Sequence, residues 1–148
     1  MSAAEIFQKL HQGRADAYGV YDPEQYKTGY KTINANLTLE HYKQHLDGKI
    51  SLGVIPITSD EKCSYGIVDD DKHHNKNVKY DYKNLLQKIK ILRLPVSVYK
   101  SKSGGAHIVV YLDKPYPAKD VRHILKKFAY QLCESKFDLF PRQDEVGK

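Results

Sequence analysis

The chain is 148 residues long, 41% hydrophobic and 28% charged, with a formal net charge of +6. That length suits one domain with a buried core, and the excess of lysine and arginine fits a polyanionic partner such as nucleic acid or nucleotide. No apolar run is long enough to span a membrane, and MSAAEIFQKLHQGR at the start lacks the apolar centre of an export signal, so a cytoplasmic protein without membrane contact is expected.

In chain order, AAEIFQKLHQG places Ile6, Phe7 and Leu10 on one helical face and stops at Gly13. GRADAYGVYDPEQYKTGYKTIN is polar, rich in tyrosine and broken by Gly and Pro, which predicts mostly loop. LTLEHYKQHLDGK reads as a helix with Thr38 as N-cap, Leu39, Tyr42 and Leu46 as the apolar stripe and Gly48 as the stop. ISLGVIPI and KCSYGIVD are strand-like and separated by TSDE, which predicts an antiparallel hairpin. Tyr82, Leu85, Leu86, Ile89 and Leu92 recur at helical spacing. LPVSVYKS and AHIVVYLD are two more strands joined by KSGG, and Val121, Ile124, Leu125, Phe128 and Leu132 mark a last amphipathic helix. The tail FDLFPRQDEVGK has no clear state. Hairpins separated by helices predict an α+β fold with a mainly antiparallel sheet flanked by helices. Cys63 and Cys133, far apart and outside any CxxC pattern, read as reduced thiols and not as zinc ligands.

VDDDKHHN, from Val68 to Asn75, carries the main chemical signal. If the strand through Tyr65 continues to Asp71, alternation puts Asp69 and Asp71 on one face and Asp70 on the other. Carboxylates so placed repel one another unless a divalent cation lies between them, and hard cations such as Mg²⁺ or Mn²⁺ accept such oxygens and keep positions for substrate phosphates. The alternative is the solvated end of a strand. His73 and His74 point apart and find no third ligand at useful spacing, so they read as exposed. The second element is KSKSGGAHIVVY. Gly104 and Gly105 allow a tight turn whose N–H groups can hold an anion, with Lys100, Ser101, Lys102 and Ser103 at the same corner and His107 opening the next strand. Acidic and basic strand mouths together suit a metal–nucleotide complex.

Five stretches in order resemble the archaeo-eukaryotic primase superfamily, in the primase-polymerase branch of phages, plasmids and bacterial conflict systems. They are GRADAYG, LTLEHYKQHLDGKISLGVIPI, VDDD, SKSGGAH and FDLFPRQD. The resemblance implies an archaeo-eukaryotic primase-like catalytic core over residues 1–148, read as one domain and a fragment of a longer protein. It makes Asp69 and Asp71 metal-binding catalytic residues, with Asp144 as third carboxylate and Asp138 as its substitute. It puts catalytic His107 with Ser103, and by position Gly104, Gly105 and Lys102, on the nucleotide triphosphate. Arg14 and Lys100 become possible nucleic-acid contacts, while Arg14 with Asp16 could equally form a structural salt bridge.

The expected activity is template-directed nucleotidyl transfer by a DNA primase or primase-polymerase using two Mg²⁺ or Mn²⁺ ions. Its partners would be a DNA template or primer-template, nucleoside triphosphates and a fused or associated helicase. Two alternatives stand beside it. A metal-dependent nuclease could use the same acidic pair without a hairpin to grip a triphosphate. A non-catalytic basic nucleic-acid-binding module would leave the aspartates unexplained.

Overall fold

The computed structural model describes residues 1–71, 77–134 and 136–147. Helix α1 (Ala3–Leu10) opens on a capping box. The Glu5 amide donates to Ser2 Oγ at 3.3 Å and the Ser2 amide donates to Glu5 Oε2 at 2.6 Å. Where loop was expected, β1 (Tyr18–Tyr21) and β2 (Tyr30–Ile33) form an antiparallel hairpin. Its connection is organised by the Asp22 carboxylate, which accepts the Glu24 and Gln25 amides at 3.1 Å each, and by Gly29 at φ 76°.

Helix α2 (Leu39–Leu46) starts at Thr38, whose amide donates to His41 Nδ1 at 3.0 Å, and it ends just before Gly48 at φ 73°. The short β3 (Leu52–Gly53) pairs with β1, completing a sheet ordered β2-β1-β3. The hairpin expected between ISLGVIPI and β4 (Lys62–Asp70) therefore does not form. Ile57 turns into the core instead, and both edges of β4 are taken by strands remote in sequence.

Helix α3 (Tyr82–Leu92) is capped by Asp81, whose Oδ1 accepts the Asn84 amide at 2.9 Å, and it closes on Arg93 in the left-handed region. The expected hairpin of β5 (Ser97–Lys100) and β6 (Ala106–Pro117) is present, followed by α4 (Ala118–Leu132). The tail contributes β7 (Phe137–Phe140), and the second sheet runs β5-β6-β4-β7, antiparallel throughout.

One face of this sheet packs on α3 and α4. Val68, Ile108 and Val110 meet Leu85, Ile89, Val121, Leu125 and Ala129 there. Gly66 is required at this contact, because a Cβ would collide with Leu125 and Val121. Complete burial of a side chain such as Leu125 stabilises the fold by about 1.5–3 kcal/mol. Ile6, Leu10, Leu46, Leu86, Leu92 and Ile124, expected in the apolar stripes, are exposed.

The opposite face receives α1 at one end. His11 stacks edge-on against Tyr65 and Tyr111, with ring centroids 5.2 and 5.3 Å away. Its Nδ1 donates to the Phe7 carbonyl at 2.9 Å, so Nε2 accepts from the Tyr111 hydroxyl at 2.9 Å. Asp69 and His107 lie on this same face, further along the β4–β6 ladder.

Candidate metal–nucleotide site

Asp69 sits in a continuous row across four strands. Its cross-strand partner in β6 is His107, its partner in β7 is Asp138, and His107 in turn faces Tyr99 of β5. Residues directly opposite in an antiparallel sheet share a face, with Cβ atoms about 4.5–5.5 Å apart. The His107 Nε2 lies 3.5 Å from Asp69 Oδ1, and the two side chains are 41% and 21% exposed. The Asp69 Oδ1 atom itself is buried.

Asp70 points the other way, as alternation requires, and is only 5% exposed. The Tyr80 hydroxyl donates to its Oδ2 at 2.6 Å. Burial and the neighbouring Asp70 carboxylate push the Cys133 thiol up to about 12. Burial and the same carboxylate also raise the Tyr80 phenol well above its ordinary value. The middle aspartate therefore anchors the strand end to the helical layer.

Asp71 meets the glycine hairpin. Ser103 Oγ donates to Asp71 Oδ1 at 2.9 Å and lies 3.1 Å from Ser101 Oγ. Gly105 is where the two motifs touch, since a Cβ there would collide with the Asp70 carbonyl and crowd Asp71 Cα. Gly104 takes φ 91° to make the turn. The amides expected to face an anion are used inside the turn: Gly104 N–H donates to the Ser101 carbonyl at 3.1 Å, and Gly105 N–H donates to Ser101 Oγ at 2.9 Å. Tyr82 Oη donates to the Gly105 and Gly104 carbonyls at 2.7 and 3.2 Å, fixing the tip to the start of α3.

The remaining expected residues divide. Lys102 Nζ lies 3.3 Å from the ring centroid of Tyr21 in β1, and Lys100 Nζ lies 5.6 Å from that of Tyr82. Asp144 is not brought to the Asp69 row; it follows β7 and pairs with Arg122 of α4 at 2.8 Å. Asp138 stands in the row, in a strand that alternation of FDLF signals only weakly. Arg14 pairs with Asp16 at 2.6 Å, which lowers the Asp16 carboxyl, and it borders a separate hollow with Gln12, Tyr42 and Asp60. His73 and His74 lie outside the described residues. Tyr80 and Tyr82 support Asp70 and the hairpin tip; the sequence alone marks Tyr82 only as part of a helical stripe and gives Tyr80 no role.

Among the described residues, no group of three or more His, Cys, Asp or Glu is gathered closely enough to hold a metal ion. Mg²⁺ is commonly held by one or two carboxylates, with water and substrate phosphates completing the shell. Hard carboxylate oxygens from Asp69 and from Asp138 or Asp71 fit a cation of that kind arriving with a nucleotide. Among the described residues, no helix is long and apolar enough to cross a membrane.

No curated protein matches the sequence. A family model does: that of the archaeo-eukaryotic primase domain of the TOTE conflict system, which matches residues 2–148. Its span takes in both sheets, the Asp69 row and the glycine hairpin. The chain belongs to the archaeo-eukaryotic primase domain family of TOTE conflict systems, a family of primase-like nucleotidyltransferases.

Proposed function

We propose that the chain performs template-directed nucleotidyl transfer, joining a nucleoside triphosphate to a 3′-hydroxyl with release of pyrophosphate. The observation that carries this reading is the register of Asp69 between His107 and Asp138, one residue from the Asp71–Ser103 hydrogen bond. Acidic oxygens and phosphate donors thus converge on one end of one sheet face.

Asp69, Asp71 and Asp138 would hold Mg²⁺ or Mn²⁺, which when bound neutralises phosphate charge and makes the attacking hydroxyl more acidic. Asp138 takes this role in place of Asp144, which Arg122 engages. Like charges opposite one another on β4 and β7 are destabilising, and that repulsion is relieved when positive charge arrives. His107 orients and donates to the triphosphate from β6. Ser103 and Lys102, on the tip of the hairpin, swing from Asp71 and Tyr21 to phosphate oxygens. Gly104 and Gly105 serve by letting the tip lie against the strand end, not by offering amides. The work is positioning and charge stabilisation, with no covalent enzyme intermediate.

The test is incorporation of labelled nucleotide on a single-stranded template with Mn²⁺, alongside the Asp69→Asn variant. Template-dependent incorporation that disappears in the variant is the expected result. Shortening of labelled DNA with metal and no nucleotides would assign a nuclease instead.

A further inference from the structure

Gly19 and Gly53 lie directly opposite each other in β1 and β3, and no contact among the described residues calls for glycine at either position. Neither is among the glycines with positive φ. A Cβ at Gly19 would first meet the Gly53 carbonyl oxygen at 3.4 Å, and one at Gly53 would first meet Gly19 Cα at 3.5 Å, both ordinary contacts. Gly13, Gly66 and Gly105 differ, since a Cβ at each would collide with backbone or core side chains. Glycine inside a strand is destabilising relative to alanine. Where packing does not demand it, it often marks a bulge, a bend, or a place where a ligand or another backbone comes close.

The surroundings identify the ligand. Alternation and register put the glycine pair on the same sheet face as Tyr21, Tyr30 and Thr32. Tyr30 is 69% exposed, and its ring centroid is 4.7 Å from that of Tyr21. Tyr21 is the residue that Lys102 covers, and Lys102 adjoins Ser103, the partner of Asp71. A floor without side chains, edged by exposed Tyr30 and half-buried Tyr21 and leading to a lysine at the glycine hairpin, has the chemistry of a single-strand site. Every base has a π face to stack, and basic side chains meet the backbone. The stretches GRADAYG and GVIPI, which the metal–nucleotide site leaves without a role, supply Gly19 and Gly53.

We propose that the Gly19–Gly53 floor with Tyr30 and Tyr21 seats the bases of a single-stranded nucleic acid and leads that strand to the Asp69 row. The assignment rests on the nucleotidyl-transfer reading, because it makes this strand the template.

The test measures binding of a short fluorescein-labelled oligothymidylate by anisotropy, and in parallel Mn²⁺-dependent nucleotide binding by calorimetry. The proteins are the wild type, Gly53→Val, Gly53→Ala and Tyr30→Ala. We expect Gly53→Val and Tyr30→Ala each to weaken the oligonucleotide about tenfold or more, and Gly53→Ala less, with nucleotide binding and melting temperature retained. Should Gly53→Val fail to fold, the exposed Tyr30→Ala decides. Unchanged oligonucleotide affinity in the folded variants, or none in the wild type, overturns the platform while intact nucleotide binding leaves the transfer reading standing. Loss of nucleotide binding with the oligonucleotide retained overturns it too, by giving the floor to the incoming base. Oligonucleotide binding lost in the variants, from a wild type that never binds metal and nucleotide, upholds the platform and removes the transfer reading alone.

Discussion

Ser103 donates a hydrogen bond to Asp71 across 2.9 Å, joining the tip of the β5–β6 hairpin to the end of β4. Directly behind this bond Gly105 lies against the Asp70 carbonyl with no room for a side chain. The hairpin tip and the end of β4 are thereby held together by backbone contact, which a flexible loop would not do.

Gly105→Ala is expected to push the tip off β4. Overpacking of this kind costs about 1–3 kcal/mol. Denaturant unfolding should show that loss, and Mn²⁺-dependent nucleotide binding should fall further than stability does. Ser103→Ala, at an exposed position, should leave the unfolding midpoint unchanged and weaken nucleotide binding alone.

Asp138 and Asp144 are separated by a pair of conservative variants. Asp138→Asn should weaken Mn²⁺ binding in the presence of nucleotide by at least tenfold. Asp144→Asn breaks only its partly exposed pair with Arg122, worth about 0–1 kcal/mol, and should leave metal binding as it is. The reverse pattern would return the third carboxylate to Asp144.

Tyr80→Phe removes the hydroxyl that donates to Asp70. A buried acceptor stripped of such a donor costs about 1–3 kcal/mol. Thermal or denaturant unfolding should show the loss. Replacing the exposed Tyr30 by Phe should not.

His11 gives a pH dependence. Burial holds its imidazole below the ordinary value of 6.5. The unfolded chain therefore binds a proton near that value while the folded one does not. Stability is complete above about pH 6.5 and falls as pH drops toward the lower folded value. Melting temperatures between pH 7.5 and 5.5 should show this decline, and His11→Asn should reduce its slope.

Much of this arrangement was legible in the residues. The alternation of Asp69 and Asp70, the β5–β6 hairpin, α3 and α4 all follow from local periodicity and turn chemistry, whereas β4 ends at Asp70 and does not continue to Asp71. What local pattern cannot supply is pairing between distant segments. β4 bypasses its sequence neighbour and pairs with β6 and β7. β7 is a short strand held by that partner, so FDLF alone had no decisive period. The β1–β2 hairpin is similarly short, and its Gly and Asp residues read as loop until Gly19 is seen beside Gly53. The glycine amides expected to hold an anion are instead engaged within the turn, because Ser101 competes for both of them.

The most direct measurement is calorimetric titration of a deoxynucleoside triphosphate with and without Mn²⁺, on the wild type and on the Asp69→Asn/Asp71→Asn double variant. The wild type should bind only with metal, and the double variant, still folded, should not bind. Equal binding by both proteins, or wild-type binding indifferent to metal, would contradict the metal–nucleotide site.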